Sequence, residues 1–115
     1  MRTTLSEEKI SAHAQTKIDA FHKNIVDDVK AATAAHKIVV VGMAQNPVVK
    51  SARKLLNDEG MKFHYMEYGS YMSMWKQRLA IKLWSGWPTF PQIFIDGKLI
   101  GGFTDLQHHL GAKKN

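Results

Sequence analysis

The chain has 115 residues and no cysteine, which leaves room for one hydrophobic core and excludes disulfides and thiolate metal sites. No segment is as long as an apolar membrane-spanning helix, and Met1–Glu8 lacks the core of a secretory signal and is too acidic for a transit peptide, so a cytoplasmic location with no membrane partner is expected. The formal net charge of +6 favours anionic ligands or an acidic partner; with no basic-aromatic module in view, nucleic acid is not the expected one.

Taken in chain order, Ile10, Ala14, Ile18, Phe21, Ile25, Val29 and Ala32 recur at steps of three and four, which predicts an amphipathic helix. Thr4 and Glu7 have capping-box spacing at its start, and Ala31–His36 closes it. Lys37–Met43 reads as a short buried strand, rich in valine. Asn46–Pro47 is a strong helix start, because asparagine caps well and proline is pre-organised for the first helical position. Val49, Ala52, Leu55 and Leu56 supply that helix with an inner face, and Gly60 ends it.

Lys62–Tyr68 is a second strand. Tyr71, Trp75, Leu79 and Leu83 then mark the stripe of another helix, with Arg78 and Lys82 beside it and no acidic residue from Gly69 to Gln92. Pro91–Asp96 is a third strand, and Asp96–Gly97 is a two-residue hairpin turn into Lys98–Ile100. Gly101–Gly102 breaks the chain before a last helix carrying Leu106 and Leu110. A βαβ unit followed by a helix and a β-hairpin implies a mixed four-stranded sheet covered by helices, an α/β architecture.

The stretch Trp87-Pro-Thr-Phe-Pro-Gln-Ile-Phe-Ile-Asp-Gly-Lys-Leu-Ile-Gly-Gly-Phe-Thr-Asp105 resembles the glutathione-binding half of the glutaredoxins, closest to their monothiol branch. The resemblance covers about Lys37 to Leu110. It implies a thioredoxin-like (glutaredoxin) fold over 37–112, with residues 1–36 as an extra N-terminal helix packed on that domain. It implies further that Pro91 is cis and that the Phe90 backbone, beside Thr89, binds the cysteinyl part of glutathione. Gly102, Phe103 and Thr104 would receive the γ-glutamyl carboxylate at a helix start, Asp105 would pair with the ligand ammonium, and Arg78 would hold the glycyl carboxylate. Lys82 would add field strength. Each of these residues also has a plain structural reading, as core, turn, cap or solvated face.

The departure lies where the family carries Cys-Pro-x-Cys or Cys-Gly-Phe-Ser. This chain has Asn46-Pro47-Val48-Val49 there, with Asn46 at the nucleophile position and Val49 at the resolving position. Disulfide exchange needs an attacking thiolate, which an amide cannot replace. The family's usual iron–sulfur ligation is excluded with it, since it draws on this chain's cysteine. No catalytic residue is therefore expected, and Asn46 reads best as an N-cap.

Metal binding has little support. His108 and His109 are adjacent, so their side chains diverge by about 100° on a helix. Met66, Met72 and Met74 suit a core or a soft contact surface. The function expected is binding of glutathione, or of an acidic or glutathionylated protein partner, without turnover. Two alternatives stand beside it: an interaction module with a degenerate glutathione site, and a glutathione transferase-like enzyme using Ser70, Tyr71 or Ser73 to activate the ligand thiol.

Overall fold

The computed structural model describes residues 12–70 and 72–114, with side chains described from residue 23 to residue 111. The Thr4–Glu7 cap and Tyr71 lie outside the described residues. Helix α1 (Ala12–Ala35) leads into β1 (Ile38–Gly42), α2 (Pro47–Asp58) and β2 (His64–Glu67). Then follow α3 (Trp75–Ser85), β3 (Gln92–Ile95), β4 (Lys98–Gly101) and α4 (Phe103–Lys114). The sheet order is β2-β1-β3-β4, with β1 parallel to β2 and antiparallel to β3, and β3 antiparallel to β4.

Strand β1 is buried at every position, which its valine run allows because helices cover both faces of the sheet. Val39 and Val41 face a cluster with Val29 and Ala32 of α1, Ile81 of α3, and Phe90 and Phe94. Ile38 and Val40 face the opposite cluster, with Ala52 and Leu56 of α2, Ile93 and Ile95 of β3, and Leu106 and Leu110 of α4. This alternation is the period-two geometry of a strand placed between two layers.

Local signals decide the ends of α2 and the hairpin. Pro47 opens α2. At its other end Gly60 N–H donates to Asn57 O (3.0 Å) and Met61 N–H to Leu56 O (2.9 Å), the paired bonds of a Schellman stop. Asp96 and Gly97 both have positive φ (52° and 77°), which is the two-residue turn whose twist matches its flanking strands.

Helix α3 forms where its spacing predicts, but it presents the other face. Trp75 and Leu79, expected on the inner stripe, are exposed, and the buried residues are Arg78, Ala80 and Ile81. The small Ala80 side chain lets the helix approach the core closely, which a tryptophan stripe would prevent.

Candidate functional site

The start of α2 is built by one side chain. Asn46 has extended backbone angles (φ −92°, ψ 115°), and its Oδ1 accepts from Val48 N–H at 2.9 Å and Val49 N–H at 3.1 Å. It therefore serves as the N-cap expected of it. Val49 is core: it is buried with Val41, Tyr68 and Phe90, and a Cβ on Gly42 would come within 2.6 Å of Val49 Cγ1. Glycine at 42 is what lets the branched Val49 side chain pack against β1.

The two halves of the Trp87–Asp105 motif meet in space. A Cβ on Gly102 would lie 3.7 Å from both Pro91 O and Trp87 Nε1. The Phe90–Pro91 peptide bond is cis. Phe90 and Pro91 are buried, Thr89 is exposed, and Gln92 Nε2 donates to Trp87 O at 3.0 Å. The buried indole N–H of Trp87 and Oε1 of Gln92 find no hydrogen-bond partner among the described residues.

Asp105 closes the other side. Its Oδ2 accepts the Gly102 N–H at 2.9 Å, so it braces the first turn of α4. Gly101 must be glycine there, because its φ is +126° and a Cβ would stand 2.5 Å from Asp105 Oδ2. Phe103 is half-buried against the α2–α4 core, and Thr104 is exposed. Gly102 to Asp105 thus gather at one helix start, with Gly102 beside Pro91.

Arg78, expected at a ligand carboxylate, is turned into the loop between β2 and α3. It is only 7% exposed, and its Nη1 donates to the carbonyls of Tyr68 (2.9 Å), Ser70 (2.7 Å) and Ser73 (2.6 Å). The chain between β2 and α3 folds back so that three carbonyls converge, and a buried carbonyl needs a donor. Arg78 is the clasp of that loop. The cation left at the edge of the motif is Lys82, half-buried with Nζ 5.6 Å from the centroid of the Phe90 ring.

Two of the hydroxyls considered for thiol activation, those of Ser70 and Ser73, are engaged within the same loop. Ser70 N–H donates to Ser73 Oγ (3.1 Å), Met72 N–H donates to Ser70 Oγ (3.3 Å), and the two hydroxyl oxygens lie 3.4 Å apart. A further bond, Ala44 N–H to Gly69 O (2.6 Å), ties this loop to the segment before Asn46.

Two features elsewhere escaped the sequence reading. His36 and His64 stack with ring centroids 4.3 Å apart and planes within 5°. The Tyr65 phenol donates to Glu67 Oε1 at 3.0 Å while Arg53 lies 3.9 Å over its ring. Burial first, and then the Glu67 carboxylate, push the Tyr65 pKa up to about 12. Tyr68 is also raised, by burial and then by the Asp28 carboxylate. Among the described residues no group of three or more histidines and carboxylates could hold a metal ion, and no helix is long and apolar enough to cross a membrane.

A mixed sheet in the order β2-β1-β3-β4 with helices on both faces, and a motif of this kind at the end of β3, define the thioredoxin-like class. Residues 38–100 match the family profile described as Glutaredoxin. Over 88 residues, 76% of this chain and 72% of the relative, the sequence is 49% identical to the glutaredoxin-like protein of Dictyostelium discoideum. It is 32% identical to the glutaredoxin of Ricinus communis over 84 residues, 71% of this chain and 82% of that one. Among solved structures, the buckwheat glutaredoxin–glutathione complex has the same fold, with a TM-score of 0.72 at 23% identity over 83% of this chain and 87% of that one. The chain belongs to the glutaredoxin family, and it does so without a cysteine.

Proposed function

We propose that this protein binds glutathione, free or carried as a mixed disulfide on a partner protein, and does not itself exchange disulfides. The observation that carries the reading is the meeting of Pro91, Trp87 and Gly102 beside the start of α4. In this reading the Phe90 backbone holds the cysteinyl portion of the ligand. The γ-glutamyl carboxylate lies at the first turn of α4, where backbone N–H groups at Phe103 and Thr104 have no partner inside the helix. Asp105, braced by Gly102 N–H, supplies the negative charge for the ligand ammonium. Lys82, rather than Arg78, is the cation assigned to the glycyl carboxylate, since the Arg78 Nη1 is engaged with three carbonyls.

The absence of turnover follows from the donor set. Thiol–disulfide exchange proceeds by attack of a thiolate on sulfur, and the chain has no thiol to ionise. The donors at the α2 start that lower a cysteine pKa in such a position are here bonded to Asn46 Oδ1. An iron–sulfur cluster does not fit the chain either, because it offers no thiolate ligand. When reduced glutathione is bound, its own sulfur is the only thiol in the site.

An NMR titration of the ¹⁵N-labelled protein with reduced glutathione tests the reading. Amide shifts confined to Phe90, Gly102, Phe103, Thr104 and Asp105 are expected. No shift at millimolar ligand would overturn it. A second arm uses Asn46→Cys, which is expected to gain reduction of a glutathione mixed disulfide; failure to gain it in a variant that still binds glutathione would show that more than the nucleophile was lost.

A further inference from the structure

The outward face of α3 exposes large apolar side chains. Trp75 (59% exposed) and Leu79 (43%) stand one turn apart on it, and Met72 (92%) and Met74 (40%) lead into it from the loop. Isolated exposed apolar residues are ordinary, but four gathered on one short stretch are a mark of an interaction surface. The loop is also held in a costly shape. Met74 adopts left-handed angles (φ 56°, ψ 29°) without being glycine, and the Arg78 clasp on Tyr68, Ser70 and Ser73 keeps the segment folded back.

Charge decides the occupant. No acidic residue lies between Glu67 and Asp96, whereas Lys76 is exposed beside Trp75 and Lys82 follows one turn beyond Arg78. A second copy of the chain docked through the same face would bring two copies of Lys76 together with no acidic residue of that face to offset them, a like-charge arrangement that costs affinity. A lipid headgroup plane would draw the lysines outward, yet Lys82 leans inward over Phe90 and is half-buried. Methionine thioethers adapt to varied apolar side chains, and tryptophan is a favoured anchor at protein interfaces.

We infer that the loop before α3 and the outward face of α3 dock an acidic segment of a partner protein that carries apolar anchors. The anchors pack on Met72, Met74, Trp75 and Leu79, and the acidic groups meet Lys76. None of these residues belongs to the glutathione contacts proposed above, so the two readings stand or fall separately.

The full chain is titrated with a synthetic helical peptide that carries Leu and Phe one turn apart among Glu residues. The same peptide with Lys in place of Glu, and phosphatidylserine–phosphatidylcholine vesicles, serve as comparisons. Expected are shifts of the Trp75 indole N–H and the Met72–Leu79 amides with the acidic peptide, weakening as salt is added. Leu79→Glu and Lys76→Glu, both exposed and safe for folding, are each expected to weaken binding about tenfold while leaving the glutathione titration unchanged. Equal binding of the basic peptide, binding only to the vesicles, self-association through this face, or no shift at all each overturns the inference.

Discussion

Asn46 Oδ1 accepts the backbone N–H of Val49 at 3.1 Å, so the two residues expected at the positions of the family's cysteines are bonded to one another. The bond satisfies a donor that the helix cannot use internally. It places an amide oxygen where a thiolate's negative charge would otherwise draw stabilisation from the helix start. The departure from the family is therefore a working cap over a packed core residue. Val49 fills the space beside Gly42 instead of holding a second thiol.

Removing that cap is expected to destabilise the protein without altering its fold. Asn46→Ala should lower the unfolding free energy by about 1 kcal/mol. Asn46→Asp should retain it, because a carboxylate caps as well as an amide and sits favourably at the positive end of the helix. Urea denaturation of the three proteins distinguishes these outcomes; equal midpoints for wild type and Asn46→Ala would contradict the cap.

Gly101 and Asp105 form a coupled pair. Gly101→Ala should cost about 1–3 kcal/mol, from the left-handed φ and from the collision with Asp105 Oδ2. Asp105→Ala should cost about 1 kcal/mol by orphaning the Gly102 N–H. In the Asp105→Ala background the Gly101→Ala cost should fall, since the Oδ2 and Cγ collisions are gone and only the tight approach to the residue-105 Cβ (3.0 Å) and the φ penalty remain. A double-mutant cycle by denaturant unfolding reads this, and strict additivity would show that the two residues do not touch.

The clasp on the β2–α3 loop is tested by Arg78→Met, which keeps the buried stem and removes the donors. A loss of about 1–3 kcal/mol is expected as the carbonyls of Tyr68, Ser70 and Ser73 lose their partner. Arg78→Lys should recover part of it, because an ammonium also offers several donors. Hydrogen exchange at Ser70, Met72 and Ser73 should quicken in the methionine variant, and unchanged protection there would assign Arg78 another role.

The Tyr65 phenol makes stability depend on alkaline pH. Its pKa in the folded protein is about 12 against an ordinary value of 10.0, so between those values the unfolded chain has released a proton that the folded protein keeps. Stability present below pH 10 is therefore expected to decline as the pH rises towards 12. Tyr68, raised in the same direction, adds to the decline. Tyr65→Phe should flatten the profile of unfolding free energy measured over this range; a variant with the wild-type slope would place the titration elsewhere.

The elements that were legible in the sequence are those whose causes are local. The Asn46–Pro47 start, the Gly60 stop and the Asp96–Gly97 turn each rest on residues within a few positions of one another, and each stands where its spacing placed it. The site was legible in the same way on its α4 side, where Gly101, Gly102 and Asp105 are near neighbours in the chain. The stack of His36 on His64 had no such signal, because only the pairing of β1 with β2 brings those rings together.

By itself the sequence determined that this is a cysteine-free member of its family, with every strand and helix in order, because turn chemistry, capping and hydrophobic periodicity act over short range. Tertiary structure alone decided which face of α3 is buried. The Trp75–Leu79 stripe and the Ala80–Ile81 side have compatible helical periods, and close packing on α1 and the sheet selected the smaller residues. That choice turned Arg78 inward to clasp the loop, left Lys82 as the cation beside Phe90, and exposed Trp75 and Leu79.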